Sequence, residues 1–400
     1  MSKPDYQLFI LWHNALESSE QIVKMIAKSF EIIHLDKLYW KPNDKFRYLG
    51  RLYSKIKSSK TSSKITNGDK DNPFVIMIVK DSSPIYALRH NINGNIPRVN
   101  KNITQTKEDI RKMVGGNFVH STDNPKEFIM QSALILGTSK LESILLNSNP
   151  DNTIFKSMHK TEFKANQLIG HKGFQDWDKL FNLLNLTIEY VLIQSQRETK
   201  TSTLRVLTRD KADFLSIVGA KRWKKGFYII INGENIHLFI EELNDMSIDP
   251  LFQHKILENR VKINDTYYIS NELYAFRLLY DYLLYKNSNI DHNYLMNRLD
   301  SSGPINFDKQ KFDEAINYRI HLLQGYFKEN NFLIYCNNKS KIKTLKKFSS
   351  EIIVCNKLRY KLIKHKIRFL EIFKRVIQKF TPKIVKILIP KKLKAYIVKK

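Results

Sequence analysis

The chain has 400 residues, 42% of them hydrophobic and 12% aromatic, and it carries a formal net charge of +28. This composition suits a globular protein with two or three hydrophobic cores. Its two cysteines, Cys336 and Cys355, have no CxxC partner, which excludes a disulfide framework or a zinc site and favours a reducing, cytoplasmic compartment. The chain also lacks a signal-peptide pattern and any apolar run of roughly 18 residues, so we expect no membrane-spanning helix.

The first 137 residues alternate between short apolar runs and amphipathic segments. Apolar runs predict strands at 6–12 and 30–40, and a Ser-Ser-Pro turn divides two further strands within 72–90. Helical periodicity predicts helices at 18–30, 44–56, 107–113 and 126–136. A polar, Ser/Lys-rich stretch at 57–72 predicts a loop. This order of elements predicts an α+β fold in which helices cover a small, mainly antiparallel sheet.

A glycine-rich turn ahead of the last of these helices carries the best candidate for chemistry. Residues 115–123 read GGNFVHSTD, so His120 stands among an asparagine amide, hydroxyls and a carboxylate. An exposed imidazole in such surroundings can handle phosphate as a nucleophile or a base. A histidine that only caps a turn is the structural alternative, and the remaining histidines are scattered without metal-ligand spacing.

A second folded segment follows a polar break. Residues 138–173 contain SNPDNT and a Gly170-His171-Lys172-Gly173 stretch, which suit a domain boundary. Beyond it we predict helices at 177–186, 211–218, 271–286 and 308–326, and strands at 188–194 and 203–208. Asn232-Gly233 between two apolar runs predicts a hairpin. The predicted organisation is a first domain at 1–140, a linker at 141–173, a second domain at 174–335 and a tail at 336–400.

The tail holds most of the excess charge. From Lys339 to Lys400 there are 21 lysines and arginines against Glu351 and Glu371, which amounts to +19 of the +28. Apolar residues recur at helical spacing between the basic ones as far as Pro382, which predicts a basic amphipathic helix. Such a helix favours the surface of an anionic bilayer. A helix packed on the protein's own core and a nucleic-acid-binding segment are the alternatives, and the scarcity of stacking aromatics in the tail disfavours nucleic acid.

Residues 5–137 resemble a nucleoside diphosphate kinase. The resemblance rests on FILWHNALESSEQIVKMIAKSFEII, NPFVIMIVKDSSPIYALR and GGNFVHSTDNPKEF, which are similar to that family's opening strand and helix, its central hairpin and its histidine signature. It implies a ferredoxin-like domain in which His120 is the counterpart of the phosphorylated histidine. It also implies phosphate-clamping roles for Arg89 and Arg111, a nucleotide contact for Asn117, and for Thr122 the place of the serine beside the active site.

Two departures from that family concern its charged groups. Trp12 occupies the position of the lysine that neutralises the transferring phosphate, and Gln131 that of the glutamate that orients the imidazole. Phosphoryl transfer depends on positioning and charge neutralisation, so losing both groups is expected to reduce catalysis strongly.

Residues 174–330 resemble the nucleotidyltransferase-like proteins of cell-surface polysaccharide loci. In that family paired aspartates hold magnesium, whereas the corresponding stretch here reads Thr201-Ser202-Thr203-Leu204-Arg205 and the later strand ends at Glu241 and Glu242. The resemblance therefore implies a mixed α/β domain with a degenerate catalytic motif.

Together the two resemblances imply a phosphotransferase, or a phosphate- or nucleotide-binding protein, in bacterial surface-polysaccharide biosynthesis. The implied partners are a nucleoside di- or triphosphate, with Mg²⁺ as its cofactor, a phosphorylated sugar or polyol, and the inner face of the cell membrane. A non-catalytic nucleotide- or polymer-binding module is the alternative, and a nucleic-acid-binding regulator is a further one.

Overall fold

The computed structural model confirms an α+β protein in which helices accompany mixed sheets. The residues that it describes are 4–53, 73–89, 98–147, 162–194, 202–224, 226–245, 249–285, 334–335 and 354–355. The helix predicted at 308–326 lies outside these residues, as does all of the predicted tail apart from Val354–Cys355.

The chain divides into two compact units. Unit 1 comprises Met1–Glu242 and Asn259–Ser270, and unit 2 comprises Leu243–Glu258 and Asn271–Lys400. The described part of unit 2 contains two helices, Pro250–Glu258 (α8) and Asn271–Tyr285 (α9). It also contains a short parallel pair of strands, Ile334–Tyr335 (β15) and Val354–Cys355 (β16). The sites described below all lie in unit 1.

The first sheet of unit 1 has the strand order β6-β1-β3-β2-β7. Its strands are Asp5–Leu11 (β1), Glu31–Tyr39 (β2), Pro73–Asp81 (β3), Val119–Ser121 (β6) and Lys164–Ala165 (β7). The pairs β1–β3, β1–β6 and β2–β3 are antiparallel, and only β2–β7 is parallel. The prediction of a mainly antiparallel sheet is therefore correct.

Helices cover both faces of this sheet, which explains why its central strands are apolar without alternation. The helices are Ser19–Ser29 (α1), Pro42–Leu52 (α2), Lys101–Met113 (α3), Pro125–Leu136 (α4) and Thr138–Leu146 (α5). In β1, Phe9 and Leu11 face a core with α1 and α3, whereas Leu8 and Ile10 face a second core with α2 and α4. All four side chains are fully buried.

Three sequence predictions differ from the structure. The segment Tyr86–Leu88 (β4) pairs with Arg98–Asn100 (β5) as a separate two-stranded sheet, not with β3. Helix α3 begins six residues earlier than predicted, because the Asn100 side chain accepts hydrogen bonds from the amides of Asn102 and Ile103 and so caps it. Helix α5 and strand β7 lie within the stretch predicted as a domain boundary and linker.

The second sheet has the strand order β10-β11-β12-β9-β8-β14-β13. Its strands are Tyr190–Leu192 (β8), Thr203–Thr208 (β9), Lys221–Trp223 (β10), Gly226–Ile231 (β11), Glu234–Glu242 (β12), Val261–Ile263 (β13) and Thr266–Tyr268 (β14). The hairpin β11–β12 turns at Asn232 and Gly233, whose φ angles of 51° and 80° confirm the predicted Asn-Gly turn.

One hydrophobic cluster joins the two sheets of unit 1. Helix α6 (Trp177–Thr187) packs on α4, and the cluster contains side chains from both sheets. Helix α7 (Lys211–Ile217) packs on α2. The two halves of unit 1 therefore share a core.

A buried arginine strengthens this junction. Arg51 of α2 is 2% exposed, and its guanidinium donates to the carbonyls of Ser216 (2.8 Å), Ile217 (2.8 Å) and Ile169 (2.5 Å). Two of these carbonyls belong to the C-terminal end of α7, where unpaired carbonyls and the helix dipole attract a cation. Burial lowers the pKa of Arg51 to about 9, so it remains charged at neutral pH.

Candidate functional site

Helix α4 begins with a strong cap and directs two polar side chains toward strand β6. The Asn124 side chain accepts from the Glu127 amide at 3.0 Å, and Pro125 occupies the first turn, where its missing N–H costs nothing. Glu127 and Gln131 are four residues apart, so they share one face of the helix. Both contact the imidazole of His120 in β6.

Gln131 determines the tautomer of His120. Its amide nitrogen donates to the Leu52 carbonyl at 3.2 Å and to Glu127 Oε1 at 3.0 Å, so its oxygen must face the imidazole. That oxygen lies 2.8 Å from His120 Nε2. Because an amide oxygen only accepts, Nε2 carries the proton, and in the neutral ring the lone pair is on Nδ1. This is the nitrogen that can act as a nucleophile.

Glu127 adds a titratable carboxyl group beside the imidazole. Its Oε1 lies 3.9 Å from His120 Nε2, and its Oε2 accepts from the Asp123 amide at 2.9 Å. The pKa of Glu127 is raised to about 7: burial is the main cause and the charge of Asp123 adds to it, whereas the hydrogen bond from the Asp123 amide lowers it. The carboxyl group therefore keeps its proton to a higher pH than an ordinary glutamate.

An aromatic ring supports the imidazole from another side. The Tyr53 ring meets the His120 ring edge-on, with centroids 5.0 Å apart and an interplanar angle of 89°. Burial raises the pKa of the Tyr53 hydroxyl above its usual value, so the hydroxyl stays neutral at physiological pH. The His120 side chain is 11% exposed, so it is held in place but still reachable.

Of the two predicted phosphate-clamping arginines, Arg111 borders the strand that carries His120, and Arg89 lies near Arg111. Arg111 donates from Nε (3.0 Å) and Nη2 (2.9 Å) to the carbonyl of Val119, which immediately precedes the histidine. Burial lowers its pKa, and repulsion from Arg89 contributes to the decrease. Arg89 is exposed and forms a 2.5 Å ion pair with Glu108 on α3.

The other two predicted contact residues occupy different environments. Asn117 is exposed in the turn between α3 and β6. Thr122 is fully buried, and its hydroxyl accepts from the Leu8 amide at 2.9 Å and donates to Gln7 at 2.5 Å. The structure thus places Arg111 beside the strand that carries His120, whereas Arg89 pairs with Glu108 and the Thr122 hydroxyl bonds within the sheet.

Trp12, which the sequence resemblance aligns with a lysine, packs with other aromatic rings. Its ring lies 5.9 Å from Trp40 and 5.5 Å from Phe74, measured between centroids. A lysine of α3 does reach the segment that follows β6. Lys107 is 5% exposed, and its ammonium group donates to Asp123 Oδ1 at 2.5 Å. The positive charge on this side of β6 therefore comes from α3.

Sequence reasoning did not identify Glu127, Tyr53 or Lys107 as parts of this site. Glu127 was detectable, because Asn124-Pro125 predicts a helix start and Gln131 lies one turn beyond Glu127. Tyr53 and Lys107 reach His120 and Asp123 only through tertiary packing. No local pattern points to them.

Neither sheet shows a protein-held metal site in the described ranges, where no three His, Cys, Asp or Glu side chains converge to bind an ion. In the second sheet, Arg205 lies on the exposed face beside Phe239. In the same described ranges no single helix has the length and hydropathy to span a membrane, and α4 and α5 meet that criterion only as a pair bent by 118°.

Comparison of the chain with protein-family models, with curated proteins and with solved structures finds no match.

Proposed function

We propose that the chain binds nucleotide phosphates at His120 and acts as a phosphotransferase that passes through a phosphohistidine. The supporting observation is the oriented imidazole: Gln131 accepts from Nε2, which leaves the lone pair on Nδ1, and the cation of Arg111 lies beside the same strand. An oriented nucleophile next to a fixed positive charge is the basic requirement of phosphoryl transfer.

The strand order supports the same proposal. In the first sheet β6-β1-β3-β2 are antiparallel neighbours, and helices α1 and α3 cross one face. This is the order of a ferredoxin-like fold, the fold that the resemblance to nucleoside diphosphate kinases implies. We also propose that the second sheet is a degenerate nucleotidyltransferase-like scaffold.

In the proposed reaction His120 Nδ1 attacks the terminal phosphorus of a nucleoside triphosphate. An N–P bond forms, the bond between that phosphorus and the bridging oxygen breaks, and the nucleoside diphosphate leaves with the electron pair. The Nε2 proton stays on the ring, where Gln131 and ionised Glu127 stabilise the positive phosphoimidazolium. The phosphoryl group then passes to an acceptor oxygen: an O–P bond forms, the N–P bond breaks with its electron pair returning to Nδ1, and an acceptor hydroxyl releases its proton to solvent. The neutral imidazole is restored.

Arg111 has the chemistry to bind the phosphate oxygens. Two of its five N–H groups donate to Val119, and the others can donate to an anion. A Mg²⁺ ion would arrive on the nucleotide, because this ion is usually held by substrate phosphates and water with few protein carboxylates.

A non-catalytic nucleotide-binding module is the second candidate, and two observations favour it. The residue hydrogen-bonded to Nε2 is the neutral Gln131, and the family's lysine position is filled by Trp12 within an aromatic cluster. Relative to the family, a neutral amide at Gln131 and an indole at Trp12 remove charges that would stabilise a transition state. They remove fewer of the groups that would bind the nucleotide.

The setting that we propose is surface-polysaccharide assembly at the inner face of a bacterial membrane. The acceptor would be a phosphorylated sugar or polyol. This part of the proposal is supported by the sequence resemblances and by the basic C-terminal segment.

Incubation with γ-labelled nucleoside triphosphate tests the proposal. We expect acid-labile label on the wild-type protein and none on His120→Ala. His34→Ala is a matched control, since the His34 imidazole is similarly buried, with 18% exposure, and also bonds through Nε2. A wild-type protein that binds nucleotide in calorimetry but takes no label would support the second candidate. Absence of both label and Arg111-dependent binding would exclude both.

A further inference from the structure

The outer face of the second sheet carries aromatic rings and cations in place of a protein partner. In β9 and β12 alternate residues, Leu204, Val206, Ile236 and Leu238, enter the core. Their neighbours Arg205, His237 and Phe239 therefore lie on the opposite face. Phe239 is 58% exposed and Trp223 of β10 is 51% exposed, which is unusual for rings of this size.

The two exposed rings stand in one row across four strands. Trp223 pairs with Gly226, and Phe239 pairs with Arg205. The pairing of Phe227 with Leu238, continued by one residue, places Gly226 opposite Phe239. The row therefore reads Trp223, Gly226, Phe239, Arg205.

Gly226 leaves a gap between the rings. A Cβ atom added at this glycine would meet no atom within 4 Å. Because neighbouring strands are about 4.8 Å apart, Trp223 and Phe239 rise from backbones separated by about 10 Å. A planar ring that enters this gap would have an aromatic side chain on each side.

Arg205 and Lys221, on the two outer strands of the row, supply positive charge to this face, and two ring contacts lie between them. The Arg205 guanidinium lies 5.7 Å from the Phe239 ring centroid, and the His237 ring lies 4.8 Å from that of Trp223. In the strand with Trp223, Lys221 lies two residues away and pairs with Tyr228 on the same face, whereas Arg222 pairs with Phe227 and points to the opposite face. Glu241, two residues beyond Phe239 in β12, is an acidic residue on the same face.

We propose that this face, defined by Trp223, Gly226, Phe239 and Arg205, binds single-stranded nucleic acid. Nucleobases stack on exposed rings irrespective of sequence, and phosphates bind the flanking cations. A lipid surface would require aliphatic anchors here, and a duplex hides its bases from a flat sheet. The sequence disfavoured nucleic acid because the tail has few aromatics, but this face supplies them. The inference does not depend on His120.

Fluorescence anisotropy of the full chain with a labelled, unstructured oligonucleotide of about 12 nucleotides tests the proposal. We expect Trp223→Ala/Phe239→Ala to bind the single strand about 5- to 150-fold more weakly for each base that loses its stacking partner. Gly226→Leu, which fills the gap and leaves both rings in place, should also weaken binding. Phe46→Ala is the matched control, because Phe46 is 62% exposed on α2, away from the second sheet.

The duplex of the same sequence separates stacking from general attraction to the basic chain. If base stacking on the two rings drives binding, the wild type and the double variant should bind the duplex with nearly equal affinity. Equal single-strand affinity in wild type, the double variant and Phe46→Ala would overturn the proposal. So would loss of binding to an acidic polysaccharide in the double variant while oligonucleotide binding is unchanged.

Discussion

At the scale of single residues, the orientation of His120 depends on one neutral side chain that is itself fixed by two acceptors. Gln131 cannot rotate its amide without placing an oxygen against the Leu52 carbonyl and the Glu127 carboxyl group. The cost of such an unpaired contact is about 1 to 3 kcal/mol. Replacing Gln131 by a residue without an acceptor would therefore remove the contact that keeps the proton on Nε2 of His120.

Glu127 makes the stability of the first domain depend on pH. The pKa of its carboxyl group is about 7 in the folded protein, against an ordinary value of 4.5, so the folded state binds this proton more tightly. Stability from this group is present at low pH and is lost as the pH rises from about 4.5 to about 7. We expect urea denaturation to show that the stability of Glu127→Gln gains relative to wild type between pH 5 and pH 7, by up to about 1.4 kcal/mol per pH unit.

Glu108→Gln is the control for this change, because Glu108 is exposed on α3 and paired with Arg89. A constant difference between Glu127→Gln and wild type across that pH range would show that Glu127 ionises normally.

The sequence was sufficient to identify some residues of the site but not those whose position depends on tertiary packing. Gln131 was identified by its register with a known family, and the structure places its oxygen at hydrogen-bonding distance from His120. Thr122 shares that register, but the exposure of a side chain depends on strand pairing, and pairing with β1 buries its hydroxyl. Lys107 and Tyr53 are close to the site only because the chain folds back on itself.

At the scale of elements, α2 connects the two halves of unit 1 through Arg51. The three carbonyls that it satisfies come from α7 and from the segment before α6, regions more than 100 residues away in sequence. Helix periodicity predicted α2, yet an arginine on its buried face gives no sign of its partners. The N-caps Asn100 and Asn124 are local signals by contrast, and the second marked the start of α4 within one residue.

We expect Arg51→Met to destabilise the protein by about 3 kcal/mol or more, because it removes three hydrogen bonds to buried carbonyls. Arg51→Lys should fall between Arg51→Met and wild type, since a single ammonium cannot span the fork of acceptors. Urea denaturation followed by tryptophan fluorescence measures both. Lys126→Ala removes an exposed ion pair with Asp213 and should change stability by no more than about 0.5 kcal/mol. An equally small effect of Arg51→Met would contradict the role assigned to Arg51.

At the scale of the whole molecule, most of the excess positive charge and the shared hydrophobic core lie in different units. The shared core of the two sheets lies in unit 1, whereas the net +19 segment from Lys339 to Lys400 belongs to unit 2. Apolar runs and the Asn-Gly turn were sufficient to predict the longest strands, β1, β2, β3, β9, β11 and β12, but not short ones such as β6 and β13. The shared core was not predictable, because polarity at 138–173 suggested a boundary where α5 packs on α4 and α6.

The basic segment predicts binding to anionic membranes. We expect the full chain to float with vesicles that contain phosphatidylglycerol and to remain at the bottom with neutral vesicles. Each basic residue contributes about 1 kcal/mol near such a surface, so four substitutions should weaken binding more than 100-fold. The substitutions are Lys361→Gln, Lys364→Gln, Arg368→Gln and Arg375→Gln. The same number in unit 1, Lys24→Gln, Lys28→Gln, Lys112→Gln and Lys126→Gln, is the control. Equal flotation of both variants would argue against the tail as the anchor.

The position of the phosphoryl group on His120 tests the central claim most directly. After incubation with nucleoside triphosphate, the full-length protein is unfolded at alkaline pH and examined by phosphorus NMR, which distinguishes the two phosphohistidine isomers. Mass spectrometry then locates the phosphorylated residue. Because Gln131 accepts from Nε2, we predict phosphorylation of His120 at Nδ1. Phosphate on Nε2, on another residue, or on none would contradict the proposed phosphotransferase site.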